Sequence, residues 1–78
     1  MYYVYLLKLS DGTIYVGSTG DLKTRFKKHN LGQVTSTKAK LPHKIIFYCA
    51  LSTKQKALAL EKYLKTGSGK AFRNKRLI

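Results

Sequence analysis

Residues 2–17 read YYVYLLKLSDGTIYVG, and this pattern predicts a β-hairpin. Tyrosine, valine, isoleucine and leucine fill both halves, which are separated by the pair Asp11-Gly12. Strand-forming runs on either side of Asp-Gly are typical of two antiparallel strands joined by a tight turn. We expect the strands at residues 2–9 and 13–17. Alternate side chains of each strand should face opposite sides of the sheet.

The segment that follows the hairpin predicts a helix from Leu22 to Asn30. Residues 18–21, Ser-Thr-Gly-Asp, offer several N-cap candidates, and Gly32 is a suitable terminator. The helical repeat i, i+3, i+4, i+7 places four residues on one face: Leu22, Arg25, Phe26 and His29. This first helix should therefore carry both apolar and chemically active side chains towards the sheet.

The second half of the chain predicts one more strand and two more helices. Residues 33–43 are polar and basic and contain Pro42, so we expect a loop without helix. Lys44 to Leu51 is typical of a buried strand. Ser52 with Gln55 resembles a capping box that opens a helix ending near Lys65.

The buried stripe of this second helix should consist of three residues: Ala57, Leu60 and Leu64. Residues 66–69, Thr-Gly-Ser-Gly, should stop the helix, and residues 70–78 should form a short basic helix. The chain is thus predicted to be a single α+β domain over residues 1–78. Its order is β-β-α-β-α-α, with a small three-stranded antiparallel sheet and flanking helices.

The charge of the chain indicates a polyanionic partner. Sixteen Lys and Arg against three acidic residues give a net charge of +13 in 78 residues, while 44% of the residues are hydrophobic. This is a globular composition with a strong positive field, which favours nucleic acid over the alternatives of an anionic membrane surface or mere solubility. No run of about 18 apolar residues predicts a membrane span. Cys49 is the only cysteine, which excludes an internal disulfide and favours a cytoplasmic protein.

One of the three acidic residues has no evident structural role. Asp11 lies in the hairpin turn and Asp21 at a helix start, where aspartate is common. Glu61 instead lies inside a helix, among lysines. On a surface that attracts phosphate, a lone carboxylate is best suited to hold a divalent cation, although a salt bridge to Lys65 at i+4 is the alternative.

Four further side chains are predicted to converge on one site. A hairpin places Tyr5 and Tyr15 on neighbouring strands, and Arg25 and His29 project together because they are one helical turn apart. Gly17 ends the second strand and would let a backbone approach phosphate closely.

Together these residues resemble the GIY-YIG nuclease family. The first half of the family signature corresponds to Tyr3-Val4-Tyr5, which departs from Gly-Ile-Tyr at two positions. The second half corresponds to Tyr15-Val16-Gly17, with valine in place of isoleucine. The resemblance covers essentially the whole chain. In its compactness the chain is similar to the small standalone members of the family.

The resemblance extends to the residues that the family uses outside its two tyrosine motifs. The family carries an arginine on the next helix, often a histidine one turn later, and a glutamate on a later helix. Arg25, His29 and Glu61 stand at the matching positions. The resemblance implies metal-dependent endonuclease activity with Tyr5, Tyr15, Arg25, His29 and Glu61 as the catalytic residues. Some members also place a functional asparagine about where Asn74 lies.

The chemistry of phosphodiester cleavage suggests a role for each group. Glu61 would hold one Mg²⁺ or Mn²⁺, because a single carboxylate is a poor basis for a two-metal site. Arg25 would neutralise the non-bridging oxygens. Tyr5 or Tyr15 would position or deprotonate the water, and His29 would share that role or orient a tyrosine.

The remaining basic residues are candidates for nonspecific phosphate contacts. In addition to Gly17, we expect the following residues to contact phosphate: Lys38, Lys40, His43, Lys44, Lys65 and Lys70. Residues 67–70, Gly-Ser-Gly-Lys, resemble part of a phosphate-binding loop, but the full pattern is missing and a helix stop is the better interpretation.

The sequence therefore predicts a nuclease of low sequence specificity that acts on DNA. Single-stranded, branched or damaged DNA is a plausible substrate, which would suit a role in DNA repair. Two other hypotheses fit the same sequence: a non-catalytic nucleic-acid-binding module of the same fold, and an RNA nuclease. The oligomeric state is not indicated.

Overall fold

The computed structural model describes residues 1–78 and contains three strands, three α-helices and one 3₁₀ turn. In chain order these are β1 (Tyr2–Lys8), β2 (Ile14–Thr19), α1 (Leu22–Asn30), the 3₁₀ turn (Lys38–Lys40), β3 (Lys44–Leu51), α2 (Lys54–Leu64) and α3 (Gly67–Arg76). The predicted α+β order is confirmed. No helix has the length and apolar content that a membrane span requires.

The sheet is antiparallel, with β1 between β2 and β3. As the central strand, β1 is paired along both edges, and packing on either side of the sheet covers both of its faces. Val4 and Leu6 pack on one side with Ala57 and Leu64 of α2. The alternate residues, among them Tyr5, pack on the other side beneath α1. The alternation predicted for the first strand is therefore confirmed, and the two faces hold separate hydrophobic clusters.

The hairpin turn follows the chemistry of its residues. Asp11 Oδ1 accepts a hydrogen bond from the Thr13 amide at 2.9 Å, and Gly12 adopts a φ of 87°, a left-handed conformation that glycine tolerates best. The second strand runs to Thr19, two residues beyond the predicted end. This extension pairs Ser18 with Val4 and Thr19 with Tyr3, while Gly17 within the predicted strand pairs with Tyr5.

Side-chain caps fix the starts of the helices. Asp21 caps α1 by accepting from the Thr24 amide at 3.1 Å, and the predicted bounds of α1 are confirmed. The predicted capping box at Ser52 is wrong. Thr53 is the N-cap of α2, accepting from the Lys56 amide at 3.2 Å, because it is Thr53 whose extended backbone directs its hydroxyl back over the first turn.

The predicted helix stop at residues 66–69 is only partly right. The second helix ends at Leu64, but Thr66 is already the N-cap of α3, which begins at Gly67 instead of residue 70. A Cβ on Gly69 would overlap the Tyr63 carbonyl group. The glycine therefore lets the start of α3 lie directly against the end of α2.

The segment between α1 and β3 is more ordered than the polar composition predicted. It contains the 3₁₀ turn at Lys38–Lys40, where no helix was expected, and it buries Val34, Thr37 and His43. The prediction that His43 contacts phosphate is wrong. Its Nε2 donates to the Thr37 carbonyl oxygen at 2.8 Å, and the side chain is enclosed beneath the loop.

Gly67 and Gly69, three and five positions beyond Leu64 at the end of α2, test the close helix junction. We expect Gly69→Ala to lower the free energy of unfolding by about 2 kcal/mol or more, because a backbone carbonyl cannot move aside as a flexible side chain can. Gly67→Ala is the matched control, since a Cβ there meets nothing within 4 Å and should leave stability unchanged or raise it by up to about 1 kcal/mol. Urea unfolding of both variants measures the difference. Equal stabilities would refute the close-packing explanation.

Candidate active site

The two tyrosines and the histidine predicted from the sequence meet on the α1 side of the sheet. The Tyr5 hydroxyl lies 2.9 Å from His29 Nε2. The Tyr15 ring is centred 5.1 Å from the His29 ring and 6.3 Å from the Tyr5 ring. Tyr5 is buried whereas Tyr15 is half-buried, so Tyr15 is the phenol that solvent and a substrate can reach.

Gly17 makes this cluster possible. It pairs with Tyr5 across the strands, and a Cβ at this position would lie 2.5 Å from Cζ of the Tyr5 ring and would overlap its hydroxyl oxygen. The absence of a side chain at Gly17 thus makes room for the phenol. This is a packing reason for the glycine, distinct from the close approach of phosphate that the sequence suggested.

His29 is held as a neutral hydrogen-bonding group. Burial lowers its pKa from 6.5 to about 4, and the nearby side chains of Arg25 and His43 add to the shift. Both ring nitrogens are engaged, Nε2 by Tyr5 and Nδ1 by the Thr37 hydroxyl at 2.8 Å. A neutral, enclosed imidazole does not act as a positive charge at the C-terminus of α1, although His29 lies in its last turn.

Arg25 lies half-buried on α1 beside the tyrosines. A hydrogen bond with the Tyr5 hydroxyl raises the pKa of Arg25, and the Tyr15 hydroxyl adds to this effect. Burial raises the pKa of Tyr5, with Arg25 opposing the shift, so the Tyr5 phenol stays protonated at neutral pH. The Tyr5 hydroxyl also lies 2.9 Å from His29 Nε2, so one phenol links the imidazole to the neighbourhood of the guanidinium.

Glu61 reaches the same region from the other face of the sheet. Its Oε1 accepts a hydrogen bond from the Ser18 hydroxyl, and Ser18 directly follows Gly17 on β2. The partly buried carboxylate stays ionised, because hydrogen bonds from Lys65 and Ser18 and the charge of Arg25 lower its pKa and outweigh the opposing effect of burial. Glu61 and the tyrosines therefore meet around the edge strand at residues 17–18.

The donor set around Glu61 suits a hard cation and supplies few protein ligands. No group of three or more histidine, cysteine or acidic side chains lies close enough together to hold a metal ion. A carboxylate has about four lone-pair positions, and the Ser18 and Lys65 hydrogen bonds leave capacity on both oxygens. One carboxylate with water and phosphate oxygens is a usual magnesium environment, so the residues present fit one such ion.

Lys65 forms the ion pair that the sequence offered as the alternative role of Glu61. Its Nζ lies 2.7 Å from Glu61 Oε2, and the two side chains are 52% and 21% exposed. An exposed i,i+4 pair contributes only about 0.3–0.5 kcal/mol, so the ammonium is easily displaced. The pairing places Lys65 beside the carboxylate, whereas the sequence assigned it to phosphate.

The other basic candidates are spread over the surface. Lys38, Lys44 and Lys70 are exposed, and Lys40 pairs with Asp11 at 3.0 Å. Asn74 is exposed on α3. The structure does not gather these side chains at the tyrosine cluster.

Two residues of the site were missed by the sequence analysis. Ser18, which contacts Glu61, was considered only as a helix cap, although its place directly after Gly17 was a usable signal. Thr37, which contacts His29, lies in a loop that was expected to be solvated and carries no local signal. Its burial depends on the tertiary fold of residues 33–43.

The depressed pKa of His29 makes stability depend on pH. Between pH 6.5 and about 4 the unfolded chain binds a proton that folded His29 refuses, so stability falls as the pH falls through this window, by up to about 3 kcal/mol in total. Urea unfolding between pH 7 and pH 5 should show the onset. His29→Gln should be less stable at pH 7 but show a flatter pH profile. Parallel profiles for the two proteins would contradict the assignment.

Comparison with known proteins shows which sequences and structures this chain is similar to. The family model of the GIY-YIG catalytic domain matches residues 1–76. The UPF0213 protein of Streptococcus agalactiae is 42% identical over 64 residues, which is 81% of this chain and 73% of the relative. The UPF0213 protein of Bacillus licheniformis is 39% identical over 70 residues, 88% of this chain and 72% of the relative.

A solved structure is similar over nearly the whole chain. The solution NMR structure of the UPF0213 protein from Bacillus halodurans has a TM-score of 0.60 and 30% sequence identity, and the match covers 96% of this chain and 84% of that one. The resemblance inferred from the tyrosine motifs is thereby confirmed. With a family match over residues 1–76, this chain belongs to the GIY-YIG catalytic domain family.

Proposed function

We propose that residues 1–78 form a single endonuclease domain that hydrolyses DNA phosphodiester bonds with low sequence specificity and with one divalent cation. The observation that carries this proposal is the meeting of Tyr15, Arg25 and Glu61 around residues 17–18 in a chain of net charge +13. Membership of a nuclease family supports it. The site supplies a carboxylate, a fixed positive charge and an accessible phenol, which are the groups that this hydrolysis requires.

Glu61 is the residue that would hold the ion, Mg²⁺ or Mn²⁺. The hydrogen bond from the Ser18 hydroxyl fixes the position of its carboxylate. When bound, such an ion supplies positive charge that polarises a phosphoryl oxygen and lowers the pKa of water. The ammonium of Lys65 is the protein's own cation at this carboxylate and would move towards solvent, where half of it already lies.

Arg25 supplies positive charge that does not titrate. Its guanidinium presents forked N–H donors suited to the non-bridging oxygens of a phosphodiester, where charge develops as the phosphorus gains its fifth ligand. The hydroxyls of Tyr5 and Tyr15 both raise the pKa of Arg25, which places the guanidinium beside the tyrosine cluster. Fixing it in advance avoids reorganisation during the reaction.

The two tyrosines have different tasks in this proposal. Tyr15 is half-exposed and would orient the attacking water by a hydrogen bond, while the proton of that water passes to bulk solvent. Tyr5 is buried and protonated, so with neutral His29 it holds Arg25 and Tyr15 in place. In this scheme His29 is a positioning residue, because its enclosure keeps it from the substrate.

Binding would be dominated by the phosphate backbone. Exposed lysines such as Lys38, Lys44 and Lys70 would contact phosphates, and affinity should fall steeply with salt. We propose DNA over RNA as the partner, a cytoplasmic location, and repair of damaged or branched DNA as the setting.

One observation favours a second candidate function, a binding module without turnover. The Lys65 ammonium neutralises Glu61 at 2.7 Å, and a pure binder would also require the lone carboxylate to be neutralised. Cleavage assays on matched DNA and RNA substrates, with Mg²⁺ and with EDTA, separate the two functions. Binding without metal-dependent cleavage on any substrate would support the module.

Glu61→Gln tests the metal-holding carboxylate. The amide keeps the size of the side chain and an oxygen that accepts from Ser18, but it removes the charge. We expect metal-dependent cleavage to fall about 100-fold or more, with the fold unchanged by circular dichroism. Asp11→Asn is the matched control, because that carboxylate lies in the distant hairpin turn, and it should cleave like the parent. Undiminished cleavage by Glu61→Gln would refute the assignment.

Arg25→Ala tests whether the Arg25 guanidinium stabilises the charge that develops on the phosphate. Several lysines on the same helix provide controls. Removing a preorganised donor to the phosphate should lower the cleavage rate about 10²–10³-fold at saturating DNA. Lys27→Ala removes an equal charge from an exposed position on α1 and should change mainly the affinity. Equal rate losses in the two variants would mean that Arg25 contributes only to the general positive field.

A further inference from the structure

A groove with aromatic walls lies beside the candidate site, on the same face of the sheet as Tyr5. Its volume is about 550 Å³, within the range of about 300–1,000 Å³ that is usual for ligand sites. The aromatic side chains that line it are Tyr3, Phe26 and Tyr48. None of them has a role in the proposed cleavage.

The groove exists because α1 packs over β2 and leaves the face of β3 open. Tyr48 of β3 pairs with Tyr5 of β1, so its side chain emerges on the same face, next to the tyrosine cluster. It is 57% exposed. Phe26 from α1 packs on the hydrophobic cluster below and forms the floor with Ile45. An exposed aromatic ring beside an apolar floor leaves a planar surface without a partner.

The charge of the chain around the groove favours a negatively charged occupant. Lys23 lines the groove and is exposed. Asp21 is the only acid there, and both of its carboxylate oxygens accept hydrogen bonds from Thr24, at 3.1 Å from the amide and 2.9 Å from the hydroxyl. Lys23 and Asp21 carry opposite charges, so the field at the groove is that of the rest of the chain, which is strongly positive. An occupant that combines a flat apolar face with an anion satisfies both features.

We propose that this groove binds one unpaired base of a nucleic-acid strand, stacked on Tyr48, with its phosphate near Lys23. The inference rests on the proposed function, because the groove would receive a nucleotide flanking the phosphate that is cleaved. Bases stack on aromatic side chains without sequence preference, which agrees with low specificity. A base in a duplex has no free face, so the groove selects single strands or unpaired ends. An aromatic peptide side chain is the competing occupant, but a cationic groove does not favour it.

The test compares two strands that differ only in their bases. A fluorescein-labelled single strand of thymidines and an abasic strand of the same length carry the same phosphates. In EDTA, where no cleavage occurs, fluorescence anisotropy should show that the protein binds the normal strand at least about tenfold more tightly, since one stacked base contributes about that factor. Equal affinities would overturn the proposal without any need for a variant.

Variants then locate the stacking surface. Tyr48→Ala should lose about tenfold or more in affinity for the normal strand and nothing for the abasic strand, while Tyr48→Phe should bind both like the parent. Tyr63→Ala is the matched control, because Tyr63 is a 43% exposed tyrosine on α2 across the sheet, and it should retain the difference. A loss by Tyr48→Ala that is equal for both strands, or a loss shared by Tyr63→Ala, would overturn the assignment.

The outcome is independent of turnover. A protein that discriminates the two strands in EDTA but cleaves no substrate with Mg²⁺ would refute the nuclease proposal and keep the base-binding groove. A protein that cleaves but binds both strands equally would do the reverse.

Discussion

The hydrogen bond between the Tyr5 hydroxyl and His29 is the interaction around which this small domain is arranged. The two residues are 24 positions apart in the sequence, one on the central strand and one near the end of α1. The Tyr5 hydroxyl oxygen and His29 Nε2 lie 2.9 Å apart and are buried. This hydrogen bond forces glycine at position 17, because the phenol occupies the space of a side chain there. Burial keeps His29 uncharged at neutral pH, and Thr37 provides the second partner that a neutral buried imidazole needs. Strand, helix and loop are thus tied by one polar chain.

The same interaction determines how the charges of the site are divided. The buried Tyr5 phenol lies beside Arg25 and is uncharged. It therefore gives the guanidinium a fixed neighbour without neutralising its positive charge. The only negative side chain approaches from the opposite face of the sheet, through Ser18, where an ammonium compensates it. Positive and negative groups therefore face the same edge of β2 without neutralising each other directly. A phosphodiester with a cation is complementary to that separation.

Local chemistry was sufficient to predict most of the elements, since α1 and β3 begin and end where their side chains indicated. Asp21 and the Asp11-Gly12 turn act through neighbours within three residues, so no tertiary information was needed. The errors arose where contacts between elements decide the outcome. Gly69 serves a helix junction that is not visible in a linear pattern, and His43 is buried by a loop whose composition resembles that of a solvated one.

The candidate site divides in the same way. Tyr5, Tyr15, Arg25 and His29 follow strand and helix periodicity, so their convergence could be predicted from spacing. The identity of their partners could not, because Thr37 and Ser18 depend on distances set by the whole fold. The difference between the two phenols was equally hidden, since a strand pattern predicts which face a residue occupies but not how deeply it lies.

The ion pair between Glu61 and Lys65 separates the folding of the domain from the binding of an ion. Because an intramolecular ammonium already compensates the carboxylate, folding need not wait for an ion, and the architecture can be assembled before any metal arrives. In the proposed one-metal reaction, binding of the ion would amount to its exchange for the Lys65 ammonium on a framework that is already folded. Availability of free divalent ions, and not chain folding, would set the fraction of molecules ready to act.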